Sequence, residues 1–208
     1  MSSFVGHGLT AVVLSLQNVK HCSTRRLFFW GWSLWLLVVS WGPDIDYVWP
    51  MVHPSAHNGL RISHSLVASC ILPGITGVWL WRQSRLPIPK AWLFLQVAIA
   101  SFSHVLLDVL VGVTPLPLLY PFRLDSIRLS FGILPSAGKI DITNYYFWRN
   151  LYLELGVLLP IAGIFGLSMW RPSEKGKNRV AGIKWGSITL FLSVSSAFMY
   201  QCYWLPRP

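Results

Sequence analysis

Acidic side chains are scarce in this chain: seven Asp and Glu stand against 17 Lys and Arg in 208 residues. Charged residues of both signs make up 12% of the sequence, half the roughly 25% of an ordinary soluble domain. That shortfall argues against a water-exposed globule. Cysteine is also sparse. Cys22, Cys70 and Cys202 are odd in number, widely spaced and without a C-x-x-C pair, which argues against a disulfide framework or a dithiol redox site. No internal repeat or low-complexity tract is present. Met1 to Lys20 lacks the charged start and small-residue cleavage site of a signal peptide, so it is expected to stay in the mature chain.

What the chain has in abundance is apolar surface. Hydrophobic residues reach 53%, and there are 12 tryptophans, whose indole rings favour membrane interfaces. Six apolar segments can be marked, at roughly 3–19, 27–41, 66–81, 91–113, 151–170 and 184–204, several near the roughly 20 residues that cross a bilayer. The fold expected is an all-α polytopic membrane bundle in one domain, 1–208. Its motif-bearing part is 1–125, and its C-terminal membrane helices lie in 151–204. The first two segments are short for a full crossing, so tilting or local thinning is expected. Segment 66–81 contains Pro73, which predicts a kink whose freed backbone groups a neighbour must satisfy.

A formal charge of +10 could suggest nucleic acid, but the basic residues are spread over loops rather than gathered on one face, and no nucleic-acid partner is expected. Lys20, Arg25 and Arg26; Arg82, Arg85 and Lys90; and Arg171, Lys175, Lys177, Arg179 and Lys184 form three alternate clusters. The positive-inside rule makes these three loops cytoplasmic. Six spans then put both termini outside. The same assignment places His7, the 42–65 loop with Asp44, Asp46, His53, His57 and His64, and the outer half of the fourth segment with His104 and Asp108 on one face. Only His21 falls on the other.

Three of the seven acids sit in two short motifs. In Gly42-Pro43-Asp44-Ile45-Asp46 the two carboxylates, two residues apart, can turn to one side and hold a hard or borderline cation. A plain helix-ending turn is the competing explanation. In Ser103-His104-Val105-Leu106-Leu107-Asp108 the His and Asp lie four apart, on one helical face within an apolar run. Ionisable groups at membrane depth are expensive and mark functional sites by default, although a helix-joining His–Asp pair would look the same. His57 and His64 stand seven apart, with Arg61, Ser63 and Ser65 between and beside them as possible orienting or anion-binding groups. His53, flanked by Pro54, is explained by solvent exposure. In the loop 114–150, Arg123, Arg128, Lys139 and Arg149 could meet phosphate or simply reach lipid headgroups, and Tyr145 to Trp148 reads as an interface belt.

In this order, Gly6-His7, Pro43 to Asp46, His57 to Ser65, Ser103 to Asp108 and Thr114 to Phe122 resemble the YdjM-type family of LexA-regulated, membrane-bound, metal-dependent hydrolases. The motifs cover about the first 60% of the chain. The family pattern His-Arg-Gly-x-Thr-His-Ser here carries two extra residues, and Ser63 stands in place of Thr. The order is more distantly similar to the sites of zinc-dependent phospholipases C and single-strand nucleases. That resemblance implies one cation held by Asp44, His57, His104 and Asp108, with Asp108 bridging to a second bound by His7. The ligands of a third zinc have no counterpart, and Glu154, the remaining acid at membrane depth, fits no motif.

These readings together predict metal-assisted hydrolysis at the outer face of a bacterial inner membrane. One or two divalent ions are expected, zinc first, with manganese or iron as alternatives. Asp46 or His64 would serve as general base or orient water, and Arg61 would meet an anionic substrate. Membrane lipid is the expected partner, and a phosphoester of a lipid or lipid-linked molecule the expected substrate. A structural metal that staples the helices and an ion- or proton-coupled transporter are the alternatives.

Overall fold

The computed structural model describes residues 3–19, 25–47, 61–112, 114–129, 132–135, 142–169 and 177–204. Within them the chain is helical: α1 (Phe4–Leu16), α2 (Arg26–Trp41), α3 (Leu66–Ser69), α4 (Ile71–Arg82), α5 (Lys90–Val111), α6 (Tyr145–Met169) and α7 (Lys177–Tyr203). Two 3-10 turns, Gly42–Tyr47 and Ile62–His64, join the first half together. No β-strand occurs among the described residues, whose one extended pairing is an isolated antiparallel bridge between Leu116 and Ile127.

Helix α5 is the centre of the molecule and shows how its surface is organised. Leu93, Gln96, Val97, Ala100, Ser101, His104, Leu107, Asp108 and Val111 are buried, a stripe at steps of three and four. The outward residues Phe94, Leu95, Ile99, Phe102 and Leu106 are large, apolar and exposed. A soluble helix does the reverse, so this polarity suits a surface that meets hydrocarbon rather than water. Two helical stretches are long and apolar enough to cross a membrane, Lys90–Val111 and Tyr145–Leu167. The other predicted segments are helical too, but α1, at 13 residues, is about 20 Å long and α2, at 16, about 24 Å, short of a hydrocarbon core of about 30 Å. Helix α7 is long but opens on Lys177, Arg179 and Lys184.

The kink predicted at Pro73 is a break between α3 and α4 at Cys70. Proline lacks the N–H that would reach the carbonyl of Ser69 and crowds it besides. The Ser101 hydroxyl of α5 donates to that freed carbonyl at 2.7 Å. A second polar tie sits further along α5, where Gln96 exchanges amide hydrogen bonds with Asn18 (both 3.0 Å) and accepts one from Trp32 Nε1 at 2.8 Å. Helices α1, α2 and α5 thus share a closed amide network. The C-terminal hairpin packs by a different device. A Cβ on Gly156 or Gly163 of α6 would stand 2.3 Å from the ring of Phe198 or 2.6 Å from that of Phe191, so the two glycines seat two α7 rings. This hairpin docks on α5 through Leu153 and Val157 against Leu107 and Val111, and α6 also touches α1.

Candidate metal centre

The chain reverses direction at one end of the bundle, and there it collects its buried acids and imidazoles. Pro43 cannot extend α2, because it has no N–H and its ring crowds the carbonyl of Val39. A 3-10 turn takes over at Gly42 and carries Asp44 inward, while Ile45 stays exposed. Ser65 caps α3, its hydroxyl accepting from the N–H of Ala68 at 3.1 Å, which fixes His64 immediately before it. His104 and Asp108 come from the buried stripe of α5, and His7 from the first turns of α1.

Four atoms converge. His64 Nε2 is 3.2 Å from Asp108 Oδ2 and 3.6 Å from Asp44 Oδ1. His104 Nε2 is 3.6 Å from Asp44 Oδ1, 3.7 Å from Asp108 Oδ2 and 3.3 Å from His64 Nε2. The imidazoles are fully buried, and the carboxylates nearly so. Asp44 Oδ1 has no hydrogen-bond donor, although two imidazole nitrogens face it. Facing nitrogens and carboxylate oxygens packed this way need a proton or a cation between them. A cation at their centre would take one lone pair from each of the four atoms, so Asp44, His64, His104 and Asp108 could hold a metal ion.

The surroundings orient these donors. His104 Nδ1 donates to the backbone carbonyl of Ser40 at 2.7 Å. A carbonyl only accepts, so the proton sits on Nδ1 and the Nε2 lone pair is left for the cluster. The Ser40 hydroxyl donates to the carbonyl of His7, so one residue holds two histidines. The His7 ring stacks on His104 with centroids 3.7 Å apart, and its Nε2 stands 3.4 Å from Asp108 Oδ1, the oxygen on the other side from the four-atom group. Asp46 grips Arg61 through both carboxylate oxygens, with Nη2 to Oδ1 at 2.8 Å. Arg61 Nη2 also comes within 3.7 Å of Asp44 Oδ1. On His64 Nδ1 the neighbours are the Ser63 hydroxyl at 3.0 Å and Asp46 Oδ2 at 3.9 Å. Burial opposes charge on His64, yet its contacts with Asp108 and Asp44 outweigh burial and the repulsion from Arg61. Its pKa is raised above the ordinary 6.5.

Seven of the eight residues singled out in the sequence, His7, Asp44, Asp46, Arg61, His64, His104 and Asp108, therefore lie together. The eighth, His57, falls outside the described residues, as do His21 and His53. The sequence put His57 among the ligands and His64 beside them; among the described residues the imidazole nitrogens of the cluster come from His64 and His104. A signal for that exists in Ser65, a cap residue ahead of an apolar run. Ser40 went unremarked, because a carbonyl that accepts from an imidazole leaves no mark on residue type. Glu154 is fully buried at the N-terminus of α1, far from any motif in the sequence.

An all-helical chain with exposed apolar faces and a buried imidazole–carboxylate cluster at one end defines a class: a membrane protein with a candidate cation site. The YdjM inner membrane protein family model matches residues 1–196, and the chain belongs to that family. The match runs well past the motifs, through α6 and most of α7. No curated protein and no solved structure matches the chain.

Proposed function

We propose that this protein is a metal-dependent hydrolase of the bacterial inner membrane, acting at the outer face on a phosphoester of a lipid or lipid-linked substrate. The observation that carries the reading is the spacing of the four donor atoms. Ligands at about 2.0–2.2 Å around a tetrahedral zinc stand about 3.3–3.6 Å from one another; the five separations that involve an imidazole nitrogen run from 3.2 to 3.7 Å, and all four atoms lie within 4.8 Å of one another. Zinc is the first choice on that ground and on the mixed imidazole and carboxylate donors. His7 beside the second oxygen of Asp108 offers a position for a second ion. When bound, the metal supplies Lewis acidity, polarising an ester oxygen and making water more acidic.

The chain's own groups supply the rest. Ser40 holds the His104 tautomer that leaves Nε2 free. Asp46 fixes the guanidinium of Arg61 at the rim of the cluster, where it can meet the charge of a phosphoester. His64 turns Nε2 to the cluster and Asp46 is engaged with Arg61, so Asp46 serves first to orient Arg61, while the Ser63 hydroxyl meets Nδ1 of His64. Placement at the outer face rests on the loop charges, and a lipid-linked substrate rests on a site at the end of membrane helices.

Metal analysis of the purified protein, with His104→Ala and Asp108→Ala beside it, tests the site. Stoichiometric metal in the parent, lost from both variants, is expected; metal retained in both would overturn it. One observation favours a second reading. All four donors are buried, and closed four-coordinate sites are the structural kind. Hydrolysis of a panel of phosphodiesters and phospholipids, abolished by Asp108→Ala, separates the two readings. A metal-loaded protein inert on the whole panel, yet unfolding at lower temperature with chelator, would establish the staple.

A further inference from the structure

The last two helices carry no recognisable motif, yet α6 brings a fully buried carboxylate to the first turn of α1. Both oxygens of Glu154 accept from the backbone N–H of Ser3, at 3.0 Å (Oε1) and 3.1 Å (Oε2). Ser3 is the cap of α1. Its hydroxyl accepts from the N–H of Gly6 at 2.9 Å, and its carbonyl accepts from the N–H of His7 itself at 3.0 Å. All three polar groups of Ser3 are thus committed, and one of the three partners is the histidine that stacks on His104. On the opposite side, α2 holds the same turn through Ser40 to the His7 carbonyl and Trp41 Nε1 to the Phe4 carbonyl. The first turn of α1 is therefore clamped between α2 and α6.

A carboxylate suits this place better than a neutral acceptor. The N-terminus of a helix carries partial positive charge, and a charged acceptor makes the stronger hydrogen bond. A buried acid in an otherwise apolar stretch of α6 is costly in itself, and the hydrogen bonds to Ser3 offset that cost.

We infer that Glu154 is a positioning residue for His7: through Ser3 it sets the ring of His7 against His104 and Asp108, and delivering it is a task of the α6–α7 hairpin. The inference rests on the metal-site reading for its functional weight, but not for its geometry.

The test uses the full chain in detergent, with histidine labelled by 15N and 13C, and compares the parent with Glu154→Ala, Glu154→Gln and His7→Ala. In metal-free protein the His7 ring signals, assigned by their loss in His7→Ala, should shift in Glu154→Ala while those of His64 hold, and Glu154→Gln should restore them, since its amide oxygen still accepts from Ser3. Unmoved His7 signals in Glu154→Ala would overturn the positioning role, whether or not the protein binds metal. Cobalt titration then reads the functional consequence. Removing a group that orients a ligand typically weakens metal affinity 10- to 100-fold, so about a tenfold loss is expected for Glu154→Ala in the parent. In the His7→Ala background the further loss should stay under about twofold, because the effect passes through His7. An equal loss in both backgrounds would overturn the inference and make Glu154 a general fold contact. A parent that takes up no cobalt, but whose His7 signals move as stated, would sink the metal reading and leave the positioning role standing.

Discussion

At the scale of single residues, the proposed cation and protons would compete for the same lone pairs of the cluster. His64 keeps a proton above the ordinary pH 6.5 in the metal-free protein because Asp108 and Asp44 face it. A cation must displace that proton. Metal affinity should therefore climb with pH through and beyond 6.5, as cobalt titrations at pH 6, 7 and 8 would show; an affinity flat over that range would contradict the protonated state. The sign reverses for the stability of the metal-free fold. A raised pKa means that the folded state holds the proton more tightly than the unfolded one, so this contribution is complete below about 6.5 and fades as pH rises through the raised value. Melting of chelator-treated protein should thus move down in temperature over the range in which metal-loaded protein moves up. His104 and Asp108 were legible in the sequence because membrane depth makes a charge expensive, and Asp44, Asp46, Arg61 and His64 because short motifs placed them in a loop on the same face. Ser40 was not, since its part is played by a backbone oxygen and a hydroxyl that any serine owns.

At the scale of elements, breaks in the helices do as much as the helices. The gap at Cys70 exists because Pro73 frees the carbonyl of Ser69, and Ser101 picks it up. Ser101→Ala would leave that carbonyl unpaired in the interior, a cost of about 1–3 kcal/mol, to be seen as a lowered midpoint in reversible denaturant unfolding in mixed micelles. Proline marked this break in advance, but its partner could not be read, because pairing across 32 residues is a property of packing. In the C-terminal hairpin, Gly156→Leu would drive a side chain into the space of Phe198. Overpacking of that kind costs about 1–3 kcal/mol or more, to be seen as a lowered midpoint in the same denaturant unfolding. The glycines were visible in the sequence, whereas the two rings that require them were not.

At the scale of the whole molecule, helices among the described residues overlap the six apolar segments, yet only two of them combine the length and apolarity of a crossing, so the six-span bundle expected from the sequence is not established. The reason is physical. Apolar content foretells burial from water, whether the burial is in lipid or against other helices, and α1 and α2 spend much of theirs on α5. The proposed sidedness rests on loop charge and is open to direct measurement. In a cysteine-free background, Ser55→Cys should react with an impermeant thiol reagent added outside intact cells, and Ser173→Cys should react only after permeabilisation. The reverse pattern would turn the site to the cytoplasm.

The cluster draws its atoms from segments distant along the chain: His104 reaches Ser40 across 64 residues and His64 across 40. Only His104 and Asp108 are neighbours on one helix. A chain emerging from the ribosome therefore carries no ready-made chelate, and two donors on α5 are too few to retain an ion against cellular competitors. On the proposed reading, loading comes last, after α1, α2 and the 61–65 turn have closed around α5, so that metal content would report on completed assembly.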